Sequence, residues 1–172
     1  MSQTKAPETF GEIIAHTGDL SRAYGEALAA DIPADRFAEK PAPTMNNPAW
    51  VYGHLIIYPN RVGALIGEGD LMELPGTYEG LFAPGTPCED DASKYPGKDE
   101  LMRLYSDGYA KAAAAVRDAD PQTFAQEMPI ERMRERFPTV GTGVAFLLNN
   151  HLMMHLGQIS SWRRAIGLPS VF

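Results

Sequence analysis

Residues 149–169 read NNHLMMHLGQISSWRRAIGLP. The run has a helical character throughout, opened upstream by Thr139 or Thr142 and stopped near Ile166 by Gly167 and Pro169. It sets His151 and His155 at positions i and i+4, and two residues so spaced share a helix face, about 6 Å apart along the axis. That is a chelate spacing, and neutral imidazole is a leading ligand for zinc, nickel, copper and iron. A further histidine, His54, lies far upstream in another apolar segment. If it reaches the same point, three imidazoles hold one ion and leave a coordination position open, as catalytic sites do. Alone, His54 reads as a hydrogen-bonded core residue. The pair is harder to dismiss, because two neutral imidazoles gain nothing by packing together and two charged ones repel.

Outward from that run, other segments carry helical periodicity and none alternates as a strand. The first spans about Glu8 to Ala30, where Phe10, Ile13, Ile14, Leu20, Tyr24 and Leu28 recur at helical intervals before Asp31 and Pro33 stop it. Residues 34–45 are irregular. Asn46 or Asn47 then caps a second helix, with Pro48 in its first turn and His54 near its middle, running to Ile66. Pro59 lies inside it and is expected to kink it or loosen one turn. Gly67 to Pro96 is a stretch of 30 residues with five glycines and four prolines, either a crossover wrapping the body or a functional loop. A third helix is expected from about Lys98 to Ala119, and Asp120-Pro121 ends it and starts a short extra turn. The pattern predicts an all-α fold, a four-helix bundle with a long crossover between helices two and three, with residues 1–172 as a single domain.

Composition narrows the function classes. Hydrophobic residues make up 44% and charged residues 22% of 172, the balance of a globular domain with one continuous core. A net charge of −7 leaves no broad basic surface to neutralise phosphates, which argues against nucleic-acid binding. The N-terminal residues 1–10 lack a signal-peptide core, and no segment approaches an apolar span of about 18 residues, so neither export nor a membrane is indicated. Cys88 is the single cysteine, which fits a reducing cytoplasm. It stands in GTPCEDD, whose carboxylates raise a thiol pKa, so it is expected to be incidental rather than nucleophilic.

The 149–169 run resembles the last helix of the DinB-like metal-binding bundles. There a His, three residues and a second His precede Gly-Gln-Ile, a basic residue and a closing Gly-Leu or Gly-Ile. Here these are Gly157-Gln158-Ile159, Arg163-Arg164 and Gly167-Leu168. Residues 47–55, NPAWVYGHL, are similar to that family's second helix, where Gly-His-Leu follows an aromatic residue. The resemblance implies a four-helix bundle whose crossover is the 67–96 stretch, and one divalent metal ion, nickel or zinc, held by His54, His151 and His155. It also implies a homodimer in a bacterial cytoplasm, and an activity among metal-dependent hydrolases, thiol-dependent transferases and a thiol-dependent isomerase. A low-molecular-weight thiol and a small-molecule substrate are then the metal's expected companions. The alternative is a non-catalytic bundle that binds metal or a small ligand. Pro59 departs from the family pattern and is expected to reshape its side of the pocket.

Around the histidines, Tyr58 follows His54 by four and can present its hydroxyl as an acid or hydrogen-bond donor. Gln158 shares the face of His151 and His155, either to hydrogen-bond an imidazole N–H or a ligand water, or to satisfy helix-face polar groups. These two are the candidate catalytic residues. Trp50 and Trp162 wall the pocket or simply pack in the core. Arg132, Arg134 and Arg136, in ERMRERF, are candidates for capturing a carboxylate on a substrate or thiol cofactor. Against that stands a solvated connector neutralised by Glu131 and Glu135. His16 has no partner at helical spacing and is expected on an outer face.

Overall fold

In the computed structural model, which describes residues 9–171, Thr9 opens helix α1 (Phe10–Ala30) with a capping box. Its hydroxyl accepts the Glu12 N–H at 3.2 Å, and the Glu12 carboxylate accepts the Thr9 N–H at 2.8 Å. The helix start expected near Glu8, and most of the N-terminal stretch inspected for a signal sequence, lie outside the described residues.

The helix is where periodicity put it, and of the apolar residues traced along it Leu28 is buried while Ile14 and Tyr24 pack partly buried on the core. Phe10, Ile13 and Leu20 are 44%, 48% and 60% exposed. Gly11, Ala15, Gly18, Ser21, Gly25 and Leu28 point inward instead. Small side chains let α1 and α5 (Lys98–Asp118) approach closely: a Cβ on Gly11 would stand 2.6 Å from the Val116 carbonyl oxygen, and one on Gly25 2.1 Å from Tyr105 Oη. Here burial follows backbone proximity rather than side-chain size.

Asn47, not Asn46, caps α2 (Pro48–Ile56): its Oδ1 accepts the Trp50 N–H at 2.9 Å while its amide donates to the Ala38 and Glu89 carbonyls at 2.7 Å each. Every residue of α2 is buried, as expected of a helix apolar on all sides. The second helix breaks at Ile57, and α3 (Tyr58–Ile66) restarts with Pro59 in its first turn, where the missing N–H does no harm. Gly67, at φ +86°, ends α3 in the left-handed conformation. The crossover that follows carries α4 (Tyr78–Phe82) and a 3₁₀ turn at Ala92–Lys94.

After α5, the short turn expected at Asp120-Pro121 is α6 (Pro121–Ala125). The last rod is one continuous helix of three parts: α7 (Val140–Ala145), a π-helical segment (Phe146–His151) and α8 (Leu152–Ala165). Thr139 and Thr142 both start it, as the two members of a capping box. The fold is an all-α helical bundle, and the only strand-like pairing among the described residues is an isolated bridge between Glu127 and Thr139. Helix α5 packs on α1, α2 and α3, while α8 packs on α1 and α2, which sets α2 beside the last rod. Buried Arg163 fastens the far end of α8 to the end of α1, donating to the Leu28 carbonyl at 2.7 Å and to both oxygens of the Asp31 carboxylate. Among the described residues no helix is long and apolar enough to cross a membrane.

Gly25→Ala tests the close packing of α1. Alanine favours helix by about 1 kcal/mol over glycine, but overpacking against Tyr105 costs about 1–3 kcal/mol. The expected result in urea denaturation is a lower midpoint with an unchanged slope, whereas Gly157→Ala, where a Cβ meets nothing within 4 Å, raises the midpoint.

Candidate metal centre

His54 comes from the last turns of α2, His151 closes the π-helical segment and His155 lies in the first turn of α8. One ring nitrogen from each lies within 4.8 Å of the others. The three residues are 2%, 6% and 7% exposed. His54 Nε2 and His151 Nε2 are 3.4 Å apart. Two nitrogens each about 2.0–2.1 Å from one ion at the tetrahedral angle stand about 3.4 Å from each other, so this pair already has a ligand-to-ligand separation. The i, i+4 interval between His151 and His155 spans the junction of π and α geometry, which puts their ring centroids 4.5 Å apart.

His54 is the braced member. Its Nδ1–H donates to the Phe82 carbonyl at 2.7 Å, and because a carbonyl only accepts, Nε2 is left with its lone pair facing His151. Phe82 reaches that position because Gly53 has no side chain: a Cβ there would stand 2.2 Å from the Phe82 ring. The Gly-His-Leu sequence thus has a mechanical reason, with glycine admitting α4 so that α4 can orient the histidine. Trp50 stacks flat on the other side of His54, centroids 5.0 Å apart, with its indole N–H on Thr86 Oγ1 at 3.0 Å. His151 and His155 lack such support, and the Nδ1 atom of each is buried without a hydrogen-bond partner.

All three rings are held neutral. Burial chiefly, and the neighbouring rings next, push His151 down to about 3. Burial and His54 push His155 down to about 4, against an opposite pull from Gln158. Burial also lowers His54, opposed by its bond to Phe82. Neutral imidazoles with lone pairs, gathered where hydrogen-bonding capacity is unused, fit a divalent ion.

Tyr58 sits beside the centre, its ring centroid 4.0 Å from that of His151 and 5.0 Å from that of His54. Burial raises its pKa, so the phenol keeps its proton. A cavity of about 690 Å³ opens on His151, with Tyr58, Phe146, Arg132 and Arg136 among its walls. Gln158 does not line it. Its Oε1 accepts from Asn46 at 3.2 Å, and both residues line a separate cavity with Thr44, Met45 and Met154. Arg134 is turned away as well, donating to the Met128 carbonyl at 2.8 Å and pairing with Glu127 rather than Glu131 or Glu135. Trp162 is a core residue whose indole N–H meets the Glu39 carbonyl at 2.7 Å. His16 is exposed. Cys88 Sγ accepts the Asn47 N–H at 3.3 Å, and burial pushes its thiol up.

Residues 17–159 match the DinB superfamily, a span that includes all three histidines and the Gly157-Gln158-Ile159 run. The chain belongs to the DinB superfamily. No curated protein and no solved structure matches it. Membership in the DinB superfamily and the convergence of three buried imidazoles agree on a metal-binding site. Sequence reasoning did not find Phe82, Phe146 or the π turn. Gly53 was the available signal for the first, and neither of the others leaves a mark in the periodicity.

Folded, metal-free protein binds protons on these histidines only near pH 3–4 for His151 and His155, against about 6.5 in the unfolded chain. The unfolded state therefore takes up more protons below pH 6.5. Their contribution to stability is complete above that pH and is lost as pH falls towards the folded values. In metal-free protein the melting temperature is expected to decline from pH 7 to pH 5, above the range where most carboxylates titrate, and to decline less in His151→Gln/His155→Gln. Equal slopes in the two proteins contradict the assignment.

Proposed function

We propose that this chain binds one divalent ion, nickel or zinc, through His54, His151 and His155, and uses it as a metal-dependent enzyme on a small molecule, a hydrolase or a thiol-dependent transferase. The observation that carries the reading is the meeting of three neutral, buried imidazoles, one of which, His151, lines a cavity. A bound divalent ion supplies Lewis acidity there and makes a water or a small thiol a better nucleophile near neutral pH. The chain's own residues do the rest. The Phe82 carbonyl fixes the ring plane and tautomer of His54. Tyr58, protonated and beside His151, is placed to donate a hydrogen bond or a proton to a substrate in the cavity. Gln158, held by Asn46, positions His155. Trp50, Tyr58 and Phe146 exclude bulk water. The same reading takes the protein as a cytoplasmic homodimer.

The near-complete burial of the three rings favours a second reading, a bundle that binds metal without turnover. Assays of model electrophiles with small thiols, and of esters and amides, separate the two, because turnover that disappears with His151→Ala excludes the second.

Elemental analysis of purified protein should find about one nickel or zinc per chain, and His54→Ala and His151→Ala should each lower it. Metal at a hundredfold its Kd stabilises by about 2.7 kcal/mol, so a chelator lowers the melting temperature. Gly53→Ala, which displaces Phe82 without touching a ligand, is expected to weaken metal affinity about 10–100-fold. A chain with no bound or restorable metal, and a melting temperature indifferent to chelator, sinks the reading.

A further inference from the structure

We propose that the cavity above His151 is a carboxylate-binding subsite, and that the small molecule it takes is an organic acid with an apolar body. The proposal rests on the reading of the histidines as a metal centre and assigns that centre a ligand class. The walls of the cavity carry three charged residues, Arg61, Arg132 and Arg136, and no carboxylate. That is contrary to the chain as a whole, in which 22 acidic residues outnumber 15 basic ones. Arg61 is already answered, its Nη2 2.6 Å from the Glu79 carboxylate and its guanidinium over the Tyr58 ring. Arg132 and Arg136 make no ion pair or side-chain hydrogen bond with any described residue. Glu131 and Glu135, which sequence reasoning offered as their neutralising partners, do not line the cavity. Between them Arg134 is spent on Met128 and Glu127. Arg132 and Arg136 thus line a space whose other walls include the apolar Leu65, Ile130, Phe137, Phe146 and Leu147, and they also line an adjoining cavity with Glu135, which makes no ion pair with either.

The geometry divides the cavity by chemistry. Guanidinium groups take a carboxylate through charge-assisted, often paired hydrogen bonds. The apolar wall covers a hydrocarbon or aromatic body, and His151 is a further part of the lining. A ligand so held lies with its carboxylate on the arginines and its opposite end towards the histidines.

Calorimetry with 3-phenylpropionate, its amide and its alcohol, on metal-loaded and metal-free protein, tests this. The carboxylate is expected to bind at least tenfold more tightly than the two neutral analogues, and more weakly as salt rises. Arg132→Gln and Arg136→Gln, both exposed positions that leave the core untouched, should each weaken it about tenfold while leaving metal content unchanged. Equal binding of carboxylate and amide overturns the proposal. So does carboxylate binding that survives Arg132→Gln/Arg136→Gln but vanishes with the metal, because the acid would then be held by the ion alone. Arginine-dependent binding to a protein that takes up no metal refutes the metal reading and leaves the subsite standing, so the two failures are distinguishable.

Discussion

Three imidazoles buried together in an apolar bundle form the constraint on which the rest of the molecule turns. Each neutral ring has one N–H to donate and one lone pair to satisfy, and an unmet polar group in such surroundings costs about 1–3 kcal/mol. For His54 the donor is satisfied by the carbonyl of Phe82, and that single bond explains several features at once. Helix α4 must form within the crossover to present the carbonyl. Gly53 must lack a side chain so that Phe82 can close on α2. Asn47, by bonding the Ala38 and Glu89 carbonyls while capping α2, ties both flanking loops to the same helix end. The long crossover is therefore part of the site's scaffold, not slack between helices.

The two sides of the centre differ in kind. On the α2 and α4 side, His54 lies between the Trp50 indole and the Phe82 carbonyl. On the last rod, the Nδ1 atoms of His151 and His155 are buried without a hydrogen-bond partner. The break at Ile57 adds a third contribution. With Pro59 unable to continue the ladder, α3 restarts at Tyr58 and brings that ring against His151, opposite the stacked Trp50. Pro59 itself does not line the cavity but packs towards Gly108 of α5, so what reaches the site is the restarted helix that carries Tyr58.

How much of this was legible in the sequence follows from which physical signals a sequence carries. Side-chain ligands at fixed spacing are visible, so the histidines stand where the 149–169 run and the Gly-His-Leu run place them. Caps and stops are visible, so Asn47, Asp120 and Gly167 bound their helices much as expected, whereas sequence reasoning did not find the Thr9 cap of α1. A backbone acceptor has no side-chain signature, and nothing in residues 67–96 marks Phe82 as the partner of His54. Nor does a glycine stripe register in a hydrophobic pattern: Phe10, Ile13 and Leu20 share the periodicity of α1 yet are exposed, while Gly11, Gly18 and Gly25 are buried. The three arginines before the last rod read as one charged run, but their surroundings separate them: Arg134 is bound by neighbours, while Arg132 and Arg136 are left to the cavity.

Charge links the centre to that cavity. His151 and His155 are neutral far below pH 7, so a divalent ion meets ligands that need release no protons, and its capture near neutrality is insensitive to pH. Neutral ligands would also leave both positive charges of such an ion uncompensated. Many metal sites offset this with a carboxylate ligand, but the group of candidate ligands here contains none. In a buried setting, where charges interact more strongly than in water, an ion at the proposed site would favour an anion beside it. An anionic ligand or nucleophile meets that requirement, and the arginines at the cavity wall select for the same sign. On the proposed reading, the centre and its approach would favour guests of the same sign, although they are built from different parts of the chain.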